Sequence, residues 1–377
     1  MENILFLQSE VDDPYALYAR MRADHPVCHD ERTGIWAVYS HAGCKRILAA
    51  STAHIPAPAP TTTALLNAPA AMLAANLARL GNPPEHAARR EAVLRLFRMM
   101  QPLPASELLE ALLGRTRSAE IDWVDAVCKK LPALAVMTAF GFPVSAIERI
   151  LPRIAALTKI MLPHPSQQQL AELNDAASEA FSLVEQHFQE TDALRSLADD
   201  DACRALYVSN LIGLLIQSHD AGRGILGNSL LHALQHPDIV QGRHWQQMII
   251  ETLRFDSPIQ NTRRVLTEAI EIDGIVIPAG QPVLVVLAAA NRDPSVFAHP
   301  DQYDIARSNN GEHLSFGAGA HLCAAQHFSV RLAADVLASL FAGDRRVHLL
   351  QSRMAYEPMV NARLPKQLMI AIDSYSS

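Results

Sequence analysis

The 377-residue chain is poor in the features that mark several large protein classes. It has no apolar run near the ~20 residues that a bilayer-spanning helix needs. The N-terminus, MENILFLQSEVDDPYALYARM, has no basic lead-in before its brief apolar patch, which argues against a secretory leader. Basic residues are in the minority, 32 Lys and Arg against 39 Asp and Glu, and no polybasic run occurs. The chain therefore has no electrostatic footprint for nucleic acid or for an anionic membrane surface. The five cysteines, Cys28, Cys44, Cys128, Cys203 and Cys323, form no CxxC and no close pair, so a disulfide framework and a zinc site are both poor fits. The expectation is a cytoplasmic protein, with neither nucleic acid nor membrane as a partner.

Nearly half of the residues are apolar, 49%, which is enough for a large core. Helical periodicity dominates residues 84–255 and returns over 324–343. Strand signals are confined to residues 34–40, to 268–288, where IEIDGIVI alternates around an Asp-Gly turn, and to a stretch near the C-terminus. PVLVVLAAANRDP reads as a buried strand running into a loop. Residues 51–80, rich in proline, threonine and alanine, read as a long, partly irregular loop. The longest helical pattern, YVSNLIGLLIQSHDAGRGILGNSLLHALQ, has apolar ends around a polar, glycine-bearing middle, where a helix has reason to distort. With no repeat, no clear linker and no alternating βαβ series, residues 1–377 read as one large domain, mainly α with small β-sheets.

Four of the cysteines sit among largely apolar neighbours and read as buried hydrophobes. Cys323 differs. In SFGAGAHLCAAQHF it follows a glycine-rich run and precedes an apolar helix, where the helix dipole and free backbone amides favour a thiolate. Glycines let the backbone fold closely around the sulfur. Either a cysteine nucleophile or a metal-bound thiolate suits that arrangement.

Phe316-Gly317-x-Gly319-x-His321-x-Cys323 resembles the heme-binding signature of the cytochromes P450, with Ala325 where that family usually has glycine. Three further segments resemble the same family in the same order. Glu251 and Arg254 match its Glu-x-x-Arg, ANRDPSVFAHPDQYDIAR resembles its meander, and NPPEHAARR resembles the motif that opens its C helix. The resemblance implies the cytochrome P450 fold, a heme b cofactor and a monooxygenase of secondary metabolism. It makes Cys323 the axial ligand of heme iron, a thiolate that assists O–O cleavage. It gives His86, Arg90, Arg264 and His321 to the heme propionates, with Arg263 as a one-residue alternative to Arg264. Phe316 and Gly317 would also border the heme, and Glu251, Arg254 and Arg307 would form a buried ionic cluster.

The pattern breaks inside the long helix. Anchoring on Gly227-Asn228 aligns the family's Ala-Gly-x-Glu/Asp-Thr with Gln217-Ser218-His219-Asp220-Ala221. The acid is kept as Asp220, but the alcohol is lost at Ala221, with Gly222 following. Oxygen activation consumes two protons, and alanine has none to give. Three readings stand: a polar group of the substrate orders the water, Ser218 or His219 takes the role, or the enzyme uses peroxide or another heme reaction such as oxidative coupling or isomerisation.

By the same resemblance, the substrate pocket draws on residues 51–80, on residues near 155–165, and on the long helix. Leu65, Leu66, Met72, Gln217, Ala221, Gly222, Ile259 and Gln260 are its candidate walls. The substrate would be a small or medium natural-product-like molecule, and the electron donor a separate ferredoxin or flavodoxin. Arg89, Arg95, Arg98, Lys129, Lys130 and Arg331 are candidates for docking such an acidic carrier.

Overall fold

In the computed structural model, which describes residues 3–114, 120–343 and 345–373, several helices begin where the sequence supplies a cap. Asp13 accepts the amides of Tyr15 and Ala16 to open Pro14–Asp24, and Ser40 accepts that of Gly43 to open His41–Ala49. Ser166 and Gln169 form a reciprocal capping box at the head of Gln167–Glu190. Two compact units result: Met1–Pro56, Ala105–Cys128 and Asp220–Ser377 make the first, and Ala57–Pro104 with Lys129–His219 the second.

All strands described belong to the first unit. A five-stranded sheet runs in the order Val27–Asp30, Ile35–Val38, Pro282–Val285, Thr262–Leu266, Ala53–His54. One pairing in it is parallel, with Trp36 opposite Val283, and the others are antiparallel. A three-stranded sheet joins Glu120–Asp122 to Met369–Asp373 and Arg346–Leu349. IEIDGIVI forms the expected hairpin, Ile270–Ile272 against Ile275–Ile277, with Asp273 and Gly274 at positive φ in its turn. The core on the larger sheet includes Val38, Cys44, Ile47, Leu48, Val283, Val285 and Leu314. That cluster ties the helix His41–Ala49 and the approach to the cysteine loop to the same sheet.

The second unit is helical among its described residues. Leu96, Leu131, Met137, Ile150, Leu173, Phe188 and Leu211 are among its buried side chains. Mainly α with small sheets is therefore the architecture, as the periodicity implied.

Four details differ from the sequence reading. Residues 60–80 are mostly helix, as Pro60–Thr63, Ala68–Asn76 and a 3₁₀ turn Ala78–Leu80. Proline sits at the start of the first two, and the alanines that follow have the highest helix propensity, so the loop-like composition misled. The strand Pro282–Val285 runs into a short helix, Leu287–Ala290, rather than a loop. The long helix Asp201–Gln235 passes through its polar middle without a break. There Gln217 Nε2 donates to Gly213 O at 3.0 Å and the Ser218 hydroxyl to Leu215 O at 2.8 Å, so the intact helix takes one hydrogen bond from each side chain. Finally, the last apolar helix starts at Gln326, so Cys323 precedes it and follows the 3₁₀ turn Gly319–His321. Among the described residues, no helix is long and apolar enough to cross a membrane.

Candidate functional site

The loop that carries Cys323 is fixed before it begins. Asn291 Oδ1 accepts the Leu314 amide at 2.6 Å, and its Nδ2 donates to the hydroxyls of Ser257 and Ser315, both at 2.8 Å. Ser315 in turn donates to Leu253 O at 2.6 Å, so the loop hangs from the end of the helix Trp245–Phe255. His313 accepts the Ser315 amide at Nδ1, 3.2 Å away, and its ring lies 5.6 Å from that of Phe316. Burial, and then the charge of Arg254, push the His313 pKa down to about 4. Sequence reasoning missed Asn291, His313 and Ser315, because no local spacing announces hydrogen bonds between such distant residues.

From there the backbone closes on itself. Gly317 N donates to Leu314 O at 2.8 Å, and Cys323 N to Phe316 O at 2.9 Å. Gly317 and Gly319 adopt φ of +75° and +67°, a region that disfavours side chains. Gly319 has a second constraint: a Cβ there would lie 2.5 Å from Leu48 O and 2.8 Å from Ala49 Cα. The turn Gly319–His321 can therefore pack on the helix His41–Ala49 only without a side chain at 319.

Cys323 is half-buried, whereas Cys28, Cys44 and Cys128 are buried. Burial pushes the thiols of Cys28 and Cys44 up and keeps them protonated and inert. Cys203, expected to be buried, is half-buried on the long helix, its Sγ 3.6 Å from Leu197 O.

Glu251 and Arg254 pair at 2.7 and 2.9 Å with neither side chain exposed. Arg254 also donates to the carbonyls of Asn291, Pro300 and Gln302, and Glu251 accepts the Asp304 amide at 2.9 Å. Arg307 Nε stands 3.8 Å from Glu251, while its other nitrogens bond Ala298 O, His299 O and Gln302 O. These three side chains thus staple the 291–307 segment to the helix Trp245–Phe255.

Arg264 is 2% exposed and donates Nη1 to Thr262 Oγ1 and Arg263 O, whereas Arg263 is half-buried. His321 ends the 3₁₀ turn before Cys323. In the second unit, His86 opens the helix His86–Met99 with Arg90 one turn on, and Gly81 packs against both His86 and Arg89. Burial, then Arg90 and Arg89, lower the His86 pKa. Asp220, Ala221 and Gly222 are half-buried, as are Ser218 and His219, and Gln217 is exposed. Leu65 and Met72 are exposed, and Leu66 and Ile259 half-buried. Gln260 is fully buried, its amide donated to Ser257 O and Tyr15 OH.

These residues fit a heme. A half-buried thiol on a backbone-closed loop is a chemically suitable axial donor, while the three fully buried thiols are not. Burial first, and then the neighbouring charges of Arg90 and Arg89, lower the His86 pKa, and the cations at positions 89 and 90 suit an anionic propionate. Arg264, a cation buried at 2% exposure, is a second suitable anion partner.

Comparison with known proteins points the same way. Residues 232–336 match the family model Cytochrome P450. The chain is 30% identical to the cytochrome P450 monooxygenase PikC of Streptomyces venezuelae, over 82% of this chain and 79% of that one. It is 26% identical to the biotin biosynthesis cytochrome P450 of Bacillus subtilis, over 96% of each chain. Its fold matches the structure of P450BioI in complex with an acyl carrier protein ligated to hexadec-9Z-enoic acid, at TM-score 0.82, 26% identity and 95% and 98% coverage of this chain and that one. The buried Glu251–Arg254 staple, the glycine loop before Cys323 and these relatives agree: the chain belongs to the cytochrome P450 family of oxygen-using heme monooxygenases.

Proposed function

We propose that residues 1–377 act as one catalytic domain that binds heme b and oxidises a small or medium natural-product-like molecule, with electrons from a separate ferredoxin or flavodoxin. When bound, the heme supplies oxygen activation and hydrogen abstraction. Cys323 would hold its iron as a thiolate, His86, Arg90, Arg264 and His321 would hold its propionates, and Phe316 and Gly317 would border it. The burial of Arg264 relative to Arg263 favours Arg264 for that role. Glu251, Arg254 and Arg307 serve by fixing the segment that leads into the loop.

The single observation that carries the proposal is the loop 316–323, which closes through the Cys323 amide and presents a half-buried thiol. The test is the reduced, carbon-monoxide-treated spectrum. The wild-type chain gives the red-shifted Soret band of thiolate ligation, and Cys323→Ala loses it. A band that survives Cys323→Ala overturns the assignment.

Leu65, Leu66, Gln217, Ala221, Gly222 and Ile259 border the substrate in this proposal. Gln217 commits one amide hydrogen to Gly213 O, which leaves its oxygen to accept from a hydroxyl or amine. A polar group there would also order the water that supplies protons, the role that Ala221 cannot fill. Asp220 then holds or passes the proton, with Ser218 and His219 as neighbours on the helix.

Ala221 also favours a second reading, in which the enzyme uses peroxide or couples or isomerises its substrate without inserting oxygen. Labelled dioxygen appearing in product, with electron donors present, supports the first reading. Turnover with peroxide alone supports the second. The substrate screen should include carrier-tethered acyl chains, because a relative has been seen with one.

A further inference from the structure

Residues 57–69 are held in an unusual way for a segment of this length. The helix Pro60–Thr63 buries no side chain, and Leu65 is 57% exposed. Apolar burial therefore does little to fix this stretch, and its position rests on hydrogen bonds from one distant helix, Gln167–Glu190.

The bonds converge on two asparagines. Asn174 Nδ2 donates to Leu65 O at 2.9 Å, and Asn174 Oδ1 accepts the Asn67 amide at 2.9 Å. Asn67 returns the contact: its Nδ2 donates to Asn174 O and to the Ser178 hydroxyl, each at 2.9 Å. Asn67 Oδ1 meanwhile caps the next helix through the Ala70 amide at 3.0 Å. Every group of both side chains is used, so a small change removes several bonds together.

A neighbouring row of the same helix holds the other segment expected at the pocket. Glu172 pairs with Lys159, Asp175 with Arg153, and Glu179 with both Arg149 and Arg153. Leu162, just beyond, is 39% exposed, as is Met72 on the helix Ala68–Asn76 that follows the first segment. One helix thus ties down both stretches expected at the pocket.

We propose that Asn174 is a positioning residue for substrate selection: with Asn67 it clamps the 57–69 segment, and so sets where Leu65 and Leu66 stand. The proposal rests on the reading that residues 51–80 border the substrate pocket. It assigns the strength of binding for bulky apolar ligands to a pair of neutral amides, which salt screens little, while the ion-paired row is open to screening.

The test uses the heme-loaded chain and two probes that shift its spectrum, clotrimazole as a bulky apolar azole and imidazole as a small one. Asn174→Ala weakens clotrimazole by about fivefold to tenfold, the usual cost of removing two neutral hydrogen bonds. Imidazole affinity and the carbon-monoxide band stay as in wild type. Asn174→Asp keeps the acceptor for the Asn67 amide, loses the bond to Leu65 O, and falls between the two. Amide hydrogen exchange over residues 60–69 accelerates in the same order, a readout independent of activity. If Asn174→Asp and Asn174→Ala leave the ratio of the two affinities unchanged, the proposal is overturned. Leu65→Ala then tells which part failed: an altered ratio in that variant keeps the pocket reading and rejects only the clamp, and an unaltered one rejects both.

Discussion

Glu251 and Arg254, one turn apart on the helix Trp245–Phe255, face each other through two hydrogen bonds with neither side chain exposed to solvent. The guanidinium also reaches three carbonyls of the segment from Asn291 to Gln302. A buried pair is not in itself stabilising, since desolvation offsets the attraction, but removing one partner strands the other.

Arg254→Leu therefore leaves the Glu251 carboxylate with only the more distant Arg307, 3.8 Å away, and the carbonyls of Asn291 and Pro300 without this donor. It should lower unfolding free energy by about 3–5 kcal/mol, and chemical denaturation measures this. Glu251→Leu combined with Arg254→Leu removes the isolated charge and recovers part of the loss. A double variant no better than Arg254→Leu would mean that the carbonyl bonds, not the charge pair, dominate.

The glycines before Cys323 differ in what they permit. Alanine at 317 meets only positive-φ strain, its nearest contact being 3.7 Å away, whereas alanine at 319 also strikes Leu48 O at 2.5 Å. Gly317→Ala should cost about 1–2 kcal/mol, the penalty of the left-handed region. Gly319→Ala should cost more and displace the turn that leads to the cysteine. Heme content per chain and the thermal midpoint, measured on both variants, should fall further for Gly319→Ala.

Much of this was legible because it lies within one turn or one loop. The Glu251–Arg254 spacing and the run from Phe316 to Cys323 are local patterns, and their geometry follows from helix pitch and glycine's freedom. Strand alternation, too, would have chosen Arg264 over Arg263, since Arg264 and Leu266 are the buried positions of Thr262–Leu266. What stayed hidden depends on distant partners. Asn291 bonds Ser315, and Asn67 bonds Asn174, 107 residues away, and neither asparagine sits in a periodic pattern. The partners of Gln260 were hidden for the same reason, since only the fold reveals that Tyr15 and Ser257 take its amide. The alanines of residues 68–76 were outweighed by the prolines and threonines before them, although the prolines open helices rather than prevent them.

His313 gives the loop a pH limit. Its pKa is pushed down to about 4 by burial and by Arg254, and its Nδ1 must stay unprotonated to accept the Ser315 amide. The unfolded chain takes up this proton near the ordinary value of about 6.5, so between those two pH values it binds more protons than the native state. Stability thus rises with pH across that window and is lost as pH falls through it. The contribution is on the order of 1–2 kcal/mol after allowance for partial exposure. His313→Gln keeps a polar group without titrating, and should flatten the pH dependence of the thermal midpoint between pH 4 and 6.5. An unchanged profile would assign the acid sensitivity to other groups.

The missing alcohol at 221 is open to direct restoration. The helix is unbroken there, so a threonine hydroxyl at 221 would be drawn partly to the carbonyl of Gln217, as the Ser218 hydroxyl is drawn to Leu215 O at 2.8 Å. It would still stand next to Asp220 and offer a proton donor that alanine lacks. Replacing alanine by threonine in a helix costs about 0.6 kcal/mol, so folding survives. Ala221→Thr should raise the product formed per reducing equivalent by at least about twofold, well below the ~10²-fold that a fully positioned proton donor contributes, because the hydroxyl is shared with the backbone. Turnover driven by hydrogen peroxide, which brings its own two protons, should change less. A coupling ratio that stays at the wild-type value, with the carbon-monoxide band intact, would show that the proton travels through the substrate or its ordered water and that the alcohol was never limiting.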